Sequence, residues 1–130
     1  MIEPRWILDS VVVSVHHMLV AEHGGSPGIR DKALLDSALA RPRQRFFYES
    51  QATIFDLAAA YGYGLAKNHP FVDGNKRVAL AVAAIFLEIN GFTLDAPEPQ
   101  SVVIIEKLAA GDLSERELAQ WLSDSSIRNS

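Results

Sequence analysis

The apolar positions of this chain follow a helical rhythm for most of its length, broken at intervals by glycine and proline. A first helix is predicted to start at Asp9 or Ser10, either of which can cap it. It runs to about Glu22, where Gly24-Gly25 ends it. Ahead of it, Trp6-Ile7-Leu8 reads as a short apolar segment suited to an edge strand. Asp31 to Leu39 carries apolar residues at Ala33, Leu34, Ala38 and Leu39, and Pro42 predicts a stop. Arg41-Pro42-Arg43-Gln44-Arg45 then reads as a basic connection, with Phe46-Phe47-Tyr48 as a flap or short strand. Ser50 to Asn68 predicts a third helix, with Ile54, Leu57, Ala58, Tyr61 and Leu65 on one face.

The stretch from Gly74 to about Asn90 differs from the others. It is apolar nearly all round and rich in alanine, which predicts a central, closely packed helix. Asn90-Gly91 ends it, and Phe92-Thr93-Leu94 reads as another short strand. Pro97 and Pro99 mark a turn before a fifth helix from Gln100 to Ala110, with Val103, Ile104 and Leu108 inward. Ser114-Glu115-Arg116-Glu117 is a capping box for a last helix through Trp121-Leu122, and Ser123 onward reads as a frayed tail. The fold class expected is all-α: one domain over residues 1–130, a helical bundle around a central buried helix.

Composition narrows the function. At 130 residues and 48% apolar, the chain can bury a substantial core. A net charge of −4 argues against a general nucleic-acid binder but leaves room for a local basic site. The absence of cysteine excludes disulfide and thiol chemistry and fits a reducing cytoplasm, the location expected here. Arg5 and Asp9 interrupt any N-terminal signal pattern, and Val78–Ile89 is too short to span a bilayer. Neither a membrane nor direct nucleic-acid contact is expected.

The candidate chemistry lies in His69-Pro70-Phe71-Val72-Asp73-Gly74-Asn75-Lys76-Arg77, a loop feeding the start of the apolar helix. A helix start carries free backbone N–H groups and partial positive charge, so it suits an anion. His69 carries an imidazole, a side chain that can take a proton from a hydroxyl. Asp73 is a hard oxygen ligand of the kind that holds Mg²⁺ against phosphate oxygens. Gly74 allows close backbone approach, and Asn75, Lys76 and Arg77 can bind phosphate. Lys76 and Arg77 oppose the helix dipole where they stand, a conflict that a bound anion removes. Each residue alone is ordinary for a turn or cap. The ordered set before a wholly apolar helix is specific. His16-His17 point about 100° apart on a helix and cannot chelate as a pair. Arg41, Arg43 and Arg45 read as a solvated turn, with steering of an acidic partner or nucleotide as the alternative.

The run His69 to Arg77 resembles the signature of the Fic/Doc (Fido) superfamily, HPFx[D/E]GN[G/K]R. Lysine at 76, where adenylylating members usually carry glycine, is similar to the Doc, or death-on-curing, branch. So are Glu22-His23-Gly24-Gly25, the segment Gly28 to Asp31, and Leu87 to Phe92, so the resemblance covers about Trp6 to Leu122. It implies a compact Fido-type bundle in which His69 is the general base and Asp73 orients Mg²⁺. Gly74, Asn75, Lys76 and Arg77 would form the anion hole for ATP, with Lys76 and Arg77 also counted as catalytic. It further implies a toxin that phosphorylates a hydroxyl of a translation factor, elongation factor Tu in the family. The alternatives are Fic-type AMP transfer and a non-enzymatic antitoxin-binding module. Leu80 stands where Fic proteins carry a second arginine, which favours the kinase. Gly74 follows the Fic form and Ala81 replaces a polar residue of some Doc kinases, which leaves AMP transfer open. The family's inhibitory motif [S/T]xxxE[G/N] is absent from these residues. The resemblance therefore implies restraint by a separate Phd-like antitoxin, whose disordered tail folds as a helix into an apolar groove.

Overall fold

Six helices and two short strands form in the computed structural model, which describes residues 1–130. They are α1 (Asp9–His23), α2 (Lys32–Tyr48), α3 (Ile54–Asn68), α4 (Asn75–Ile89), β1 (Phe92–Leu94), α5 (Glu98–Ala110), α6 (Glu115–Asp124) and β2 (Ser126–Arg128). The fold is all-α apart from the β1–β2 pair. No helix is long and apolar enough to cross a membrane.

Start signals in the sequence set three of the helices directly. Asp31 caps α2 by accepting from the Leu34 N–H at 3.0 Å. Thr53 and Asp56 form a reciprocal capping box at α3, and Ser114 and Glu117 form another at α6. The Thr53 box starts α3 later than Ser50. At α1 the residue before the helix is Leu8, without a side-chain cap, so neither Asp9 nor Ser10 caps it.

Several expectations need correction. Val103 is 51% exposed rather than inward, because Ile105 takes the buried position on α5. Trp6-Ile7-Leu8 forms no strand; instead the Ile7 N–H donates to the Tyr61 hydroxyl at 3.2 Å, and Ile7 is buried. Burial pushes the Tyr61 phenol above its ordinary range, so it stays neutral and able to accept. Pro42 does not stop α2, and Phe46-Phe47-Tyr48 is its last turn rather than a flap. Proline removes one helix hydrogen bond but has a helix-compatible φ. Pro42 is buried against the core, and its neighbours are tied down. Arg41 pairs with Glu115, while Arg45 reaches Glu115 at 2.9 Å, Glu49 at 2.9 Å and the Asp56 carbonyl at 3.2 Å. Tertiary packing outweighs the local stop. Finally, the tail does not fray. Ser126–Arg128 pairs antiparallel with Phe92–Leu94, Thr93 opposite Ile127.

The centre of the bundle is shared by α3 and α4. Leu57, Ala58, Ala59, Ala60, Leu65 and Ala66 of α3 are fully buried, as are Val78, Ala79, Val82, Phe86 and Leu87 of α4. α3 packs on α2, α4, α5 and α6, while α4 also meets α1 and β1. On its other side α4 is only half-buried, at Leu80, Ala81 and Ala84. That departure from all-round burial leaves room for a cleft.

Gly64 lets α3 lie close against α2. A Cβ there would lie 3.2 Å from the Ala38 Cα and 3.3 Å from both its Cβ and its carbonyl oxygen. Gly64→Val should therefore force α2 away from α3 and lower stability by roughly 1–3 kcal/mol, the usual cost of overpacking. Urea denaturation monitored by circular dichroism measures it, with a lower midpoint and unchanged slope expected.

Candidate active site

α3 ends because the residue before a proline is disfavoured in the right-handed helical region. His69 precedes Pro70 and takes the left-handed conformation, φ 48° and ψ 54°, as the C-cap. This is the one non-glycine residue with positive φ in the chain, and such conformations persist where surroundings hold them. Arg30 supplies that hold. Its Nε donates to the His69 carbonyl at 2.7 Å and its terminal nitrogen to the Asn68 carbonyl at 3.0 Å. A cation at the end of α3 also complements the helix dipole. The 28–31 segment runs alongside: the Arg30 and Asp31 amides donate to the Pro70 carbonyl, and the Val72 amide to that of Gly28. The imidazole of His69 is left exposed.

Two residues on, Phe71 is 1% exposed. Its backbone N–H donates to the Asn75 side-chain oxygen at 2.9 Å, and its carbonyl accepts from the Asn75 amide nitrogen at 3.0 Å. The His16 ring of α1 stacks on the Phe71 ring at 3.8 Å and 10°. With Phe71 anchored, Val72 and Asp73 are turned outward. One Asp73 carboxylate oxygen accepts from the Gly74 N–H at 2.9 Å, and the other takes a long contact of 3.3 Å from the Ser26 N–H. Gly25 lies directly beneath: a Cβ there would sit 2.8 Å from that second oxygen.

Gly74, at φ 75°, opens α4. Among the six helices, α4 alone has neither a side-chain cap nor an acidic residue in its first turn, and it carries Lys76 and Arg77 there. The backbone N–H groups of Asn75, Lys76 and Arg77 find no acceptor in the chain, the first helical bond being Val78 N–H to the Gly74 carbonyl. Arg77 has no ion-pair partner. Lys76 reaches across to Glu106 of α5, with Nζ 3.0 and 2.9 Å from the two carboxylate oxygens.

All of these groups face one cleft of about 690 Å³ between α4 and α5, within the usual range of small-molecule sites. His69, Asp73, Gly74, Asn75, Lys76 and Arg77 line it, so the structure brings together all six residues singled out in the sequence. Leu80, Ala81 and Ala84 form an apolar wall opposite Val102 and Ile105. An imidazole, a carboxylate and an electropositive helix start thus share one opening.

The pattern of the Fic/DOC family matches residues 6–87, more than half of the chain. The chain belongs to the Fic/DOC family. Over 119 residues it is 31% identical to the protein named protein kinase doc of Escherichia phage P1, covering 91% of this chain and 93% of that relative. Over 74 residues it is 47% identical to toxin Doc of Mycolicibacterium smegmatis, covering 56% of this chain and 57% of that relative. Both similarities fall in the Doc branch.

Within this Fic/DOC site the two ends of Asn75 act differently. Its side chain bonds both the N–H and the carbonyl of Phe71, while its backbone N–H has no acceptor in the chain. Arg41 is exposed and Arg45 half-buried, and neither lies at this cleft. They line a separate polar depression with Glu115, and Arg43 lies 5.3 Å over the Trp6 ring. His17 is exposed, away from the buried His16. Gly25, Arg30 and Glu106 shape the site but were not singled out in the sequence. The glycine pair after α1 was the available signal for the first and the Gly28 to Asp31 segment for the second; nothing local marks Glu106.

Asn75→Ala would leave the N–H and carbonyl of a buried phenylalanine unpaired, at about 1–3 kcal/mol for each group. A marked fall in melting temperature is expected, far larger than for Asn68→Ala, whose side chain makes one partly buried bond to the Leu34 carbonyl. Differential scanning fluorimetry on the pair checks it.

Proposed function

We propose that this protein is a Doc-type toxin that transfers the γ-phosphoryl group of ATP to a hydroxyl of a translation factor, elongation factor Tu being the substrate implied by the resemblance. The observation that carries the reading is the uncapped start of α4, with three free backbone amides, Lys76 and Arg77, set between His69 and Asp73 in one cleft. Such a terminus is complementary to a phosphate chain.

His69 acts as general base. Its imidazole accepts the proton of the substrate hydroxyl while that oxygen bonds to the γ-phosphorus. The bond from the γ-phosphorus to its bridging oxygen breaks, and ADP leaves. The left-handed backbone at His69, held by Arg30, orients the ring. Gly74, Asn75, Lys76 and Arg77 hold the phosphates through backbone N–H groups and the two cations.

The residues also fit Mg²⁺. No group of three acidic or histidine side chains is gathered anywhere, as a protein cage would need. Asp73 is a single carboxylate with one oxygen only loosely engaged, and one carboxylate with phosphate oxygens and water is the usual donor set for Mg²⁺ on a nucleotide. When bound, Mg²⁺ would draw charge from the phosphate oxygens. Lys76, Leu80 in the cleft wall and the kinase name of the phage relative favour phosphoryl over AMP transfer. Restraint by a Phd-like antitoxin, and action in the cytoplasm, belong to the same reading.

The test is purified elongation factor Tu incubated with this protein, Mg²⁺ and ATP labelled at either the γ- or the α-phosphate. A mass gain of one phosphate with γ-label alone is expected, lowered roughly 10²- to 10⁴-fold in His69→Ala, the usual share of a general base. Transfer of α-label alone would replace the kinase with an adenylyltransferase. Transfer of neither would leave a binding module.

Glu106 supplies a second check. Its pair with Lys76 is solvent-exposed on both sides, so it adds little stability. It does compete with phosphate for the ammonium. Glu106→Gln should leave the melting temperature within about a degree, for a pair worth roughly 0–1 kcal/mol. The apparent KM for ATP should fall, read from initial rates over an ATP series.

A further inference from the structure

We propose that His16 is a positioning residue that sets the Asp73 carboxylate through a single peptide plane. His16 is 3% exposed and belongs to α1, far in sequence from the loop. Its Nε2–H donates to the backbone carbonyl of Asp73 at 2.7 Å. A carbonyl only accepts, so Nε2 carries the proton.

The geometry gives this bond its leverage. The Asp73 carbonyl and the Gly74 N–H are opposite ends of one planar peptide unit. His16 holds the oxygen end. The N–H end donates to the carboxylate oxygen of Asp73 itself at 2.9 Å. Rotating the plane would break both bonds together and release the carboxylate. Gly74 makes that rotation easy, because it lacks the Cβ that restricts other residues and already sits at φ 75°. A hinge that loose needs an outside restraint, and the chain offers no donor to the Asp73 carbonyl other than His16. The stack on Phe71 at 3.8 Å fixes the imidazole in turn, so the restraint is referred to the buried core.

The inference rests on Asp73 as the cation-facing carboxylate, but its test reads the loop independently of catalysis. His16→Phe keeps a stacking ring and removes the donor. His16→Gln loses the ring and places an amide N–H the same number of bonds from Cα. His16→Asn has the donor one bond short, and serves as the second donor-less variant should His16→Phe fold poorly. Amide hydrogen exchange on the nucleotide-free protein is followed at Gly74, with the Phe71 and Val72 amides as internal controls. In His16→Phe, Gly74 exchange should quicken roughly fivefold, the loss of one neutral hydrogen bond, with the controls unchanged. The Mg²⁺ concentration for half-maximal ATP turnover should rise, with little change at saturating Mg²⁺. His16→Gln should restore both.

Gly74 exchange in His16→Phe and His16→Asn equal to the parent's would overturn the proposal. So would equal losses in the phenylalanine and glutamine variants with Phe71 and Val72 also exposed, since His16 would then be packing alone. If the parent turns over no nucleotide, the kinase reading fails while the exchange result still decides the role of His16.

Discussion

Phe71 is buried in the bundle, and a buried residue must find partners for its own backbone. Neither a helix nor a strand supplies them here. The Asn75 side chain does, taking both the N–H and the carbonyl, and that obliges the chain to return on itself within four residues. Val72, Asp73 and Gly74 then have nowhere to go but outward. Arg30 at the His69 carbonyl and His16 at the Asp73 carbonyl then fix the two ends of the loop that this anchorage turns outward. The cleft is therefore not a loop laid over the core. It is the surface side of a core contact, which explains how an exposed carboxylate and an exposed imidazole can be held in fixed relation without being packed themselves.

The reading of the sequence succeeded where partners lie close in the chain. The box at Ser114 and Glu117, the glycine ends of α1 and α4, and the loop from His69 to Arg77 are all local, and all formed as expected. It failed where a distant partner decides. Pro42 carries a local stop, but Glu115, more than seventy residues on, binds Arg41 and Arg45 on either side of it and keeps α2 whole. Ser126–Arg128 has no alternation or apolar run of its own, and becomes a strand only because β1 offers an edge. His16 looked like an ordinary histidine on an apolar helix, since nothing near it announces the Asp73 carbonyl. Asn75 was placed with the phosphate-binding residues by its position in the run; that its side chain also binds the Phe71 backbone could not be read there.

The same distinction separates the family from the reaction. Membership of the Fic/DOC family rests on a match across most of α1 to α4 and agrees with the placement of six residues around one cleft. The proposed choice of phosphoryl over AMP transfer rests on fewer side chains, chiefly Lys76 and Leu80. Both lie on the half-buried face of α4, where the core imposes little. A scaffold set by burial and a specificity set by exposed positions can change at different rates.

The pairing of Lys76 with Glu106 has a consequence for ionic strength. A site made only of cations loses phosphate affinity steadily as salt rises, because its attraction is screened within about 8–10 Å near physiological salt. Here the cleft also contains Glu98 and Glu106, and one of its two cations is already engaged. Salt weakens that internal pair as well as the pull on phosphate. The two effects oppose each other, so under the proposed function nucleotide affinity varies with salt less steeply than the cation count at the start of α4 suggests. Compensated in this way, the site is buffered against changes in the ionic medium around it.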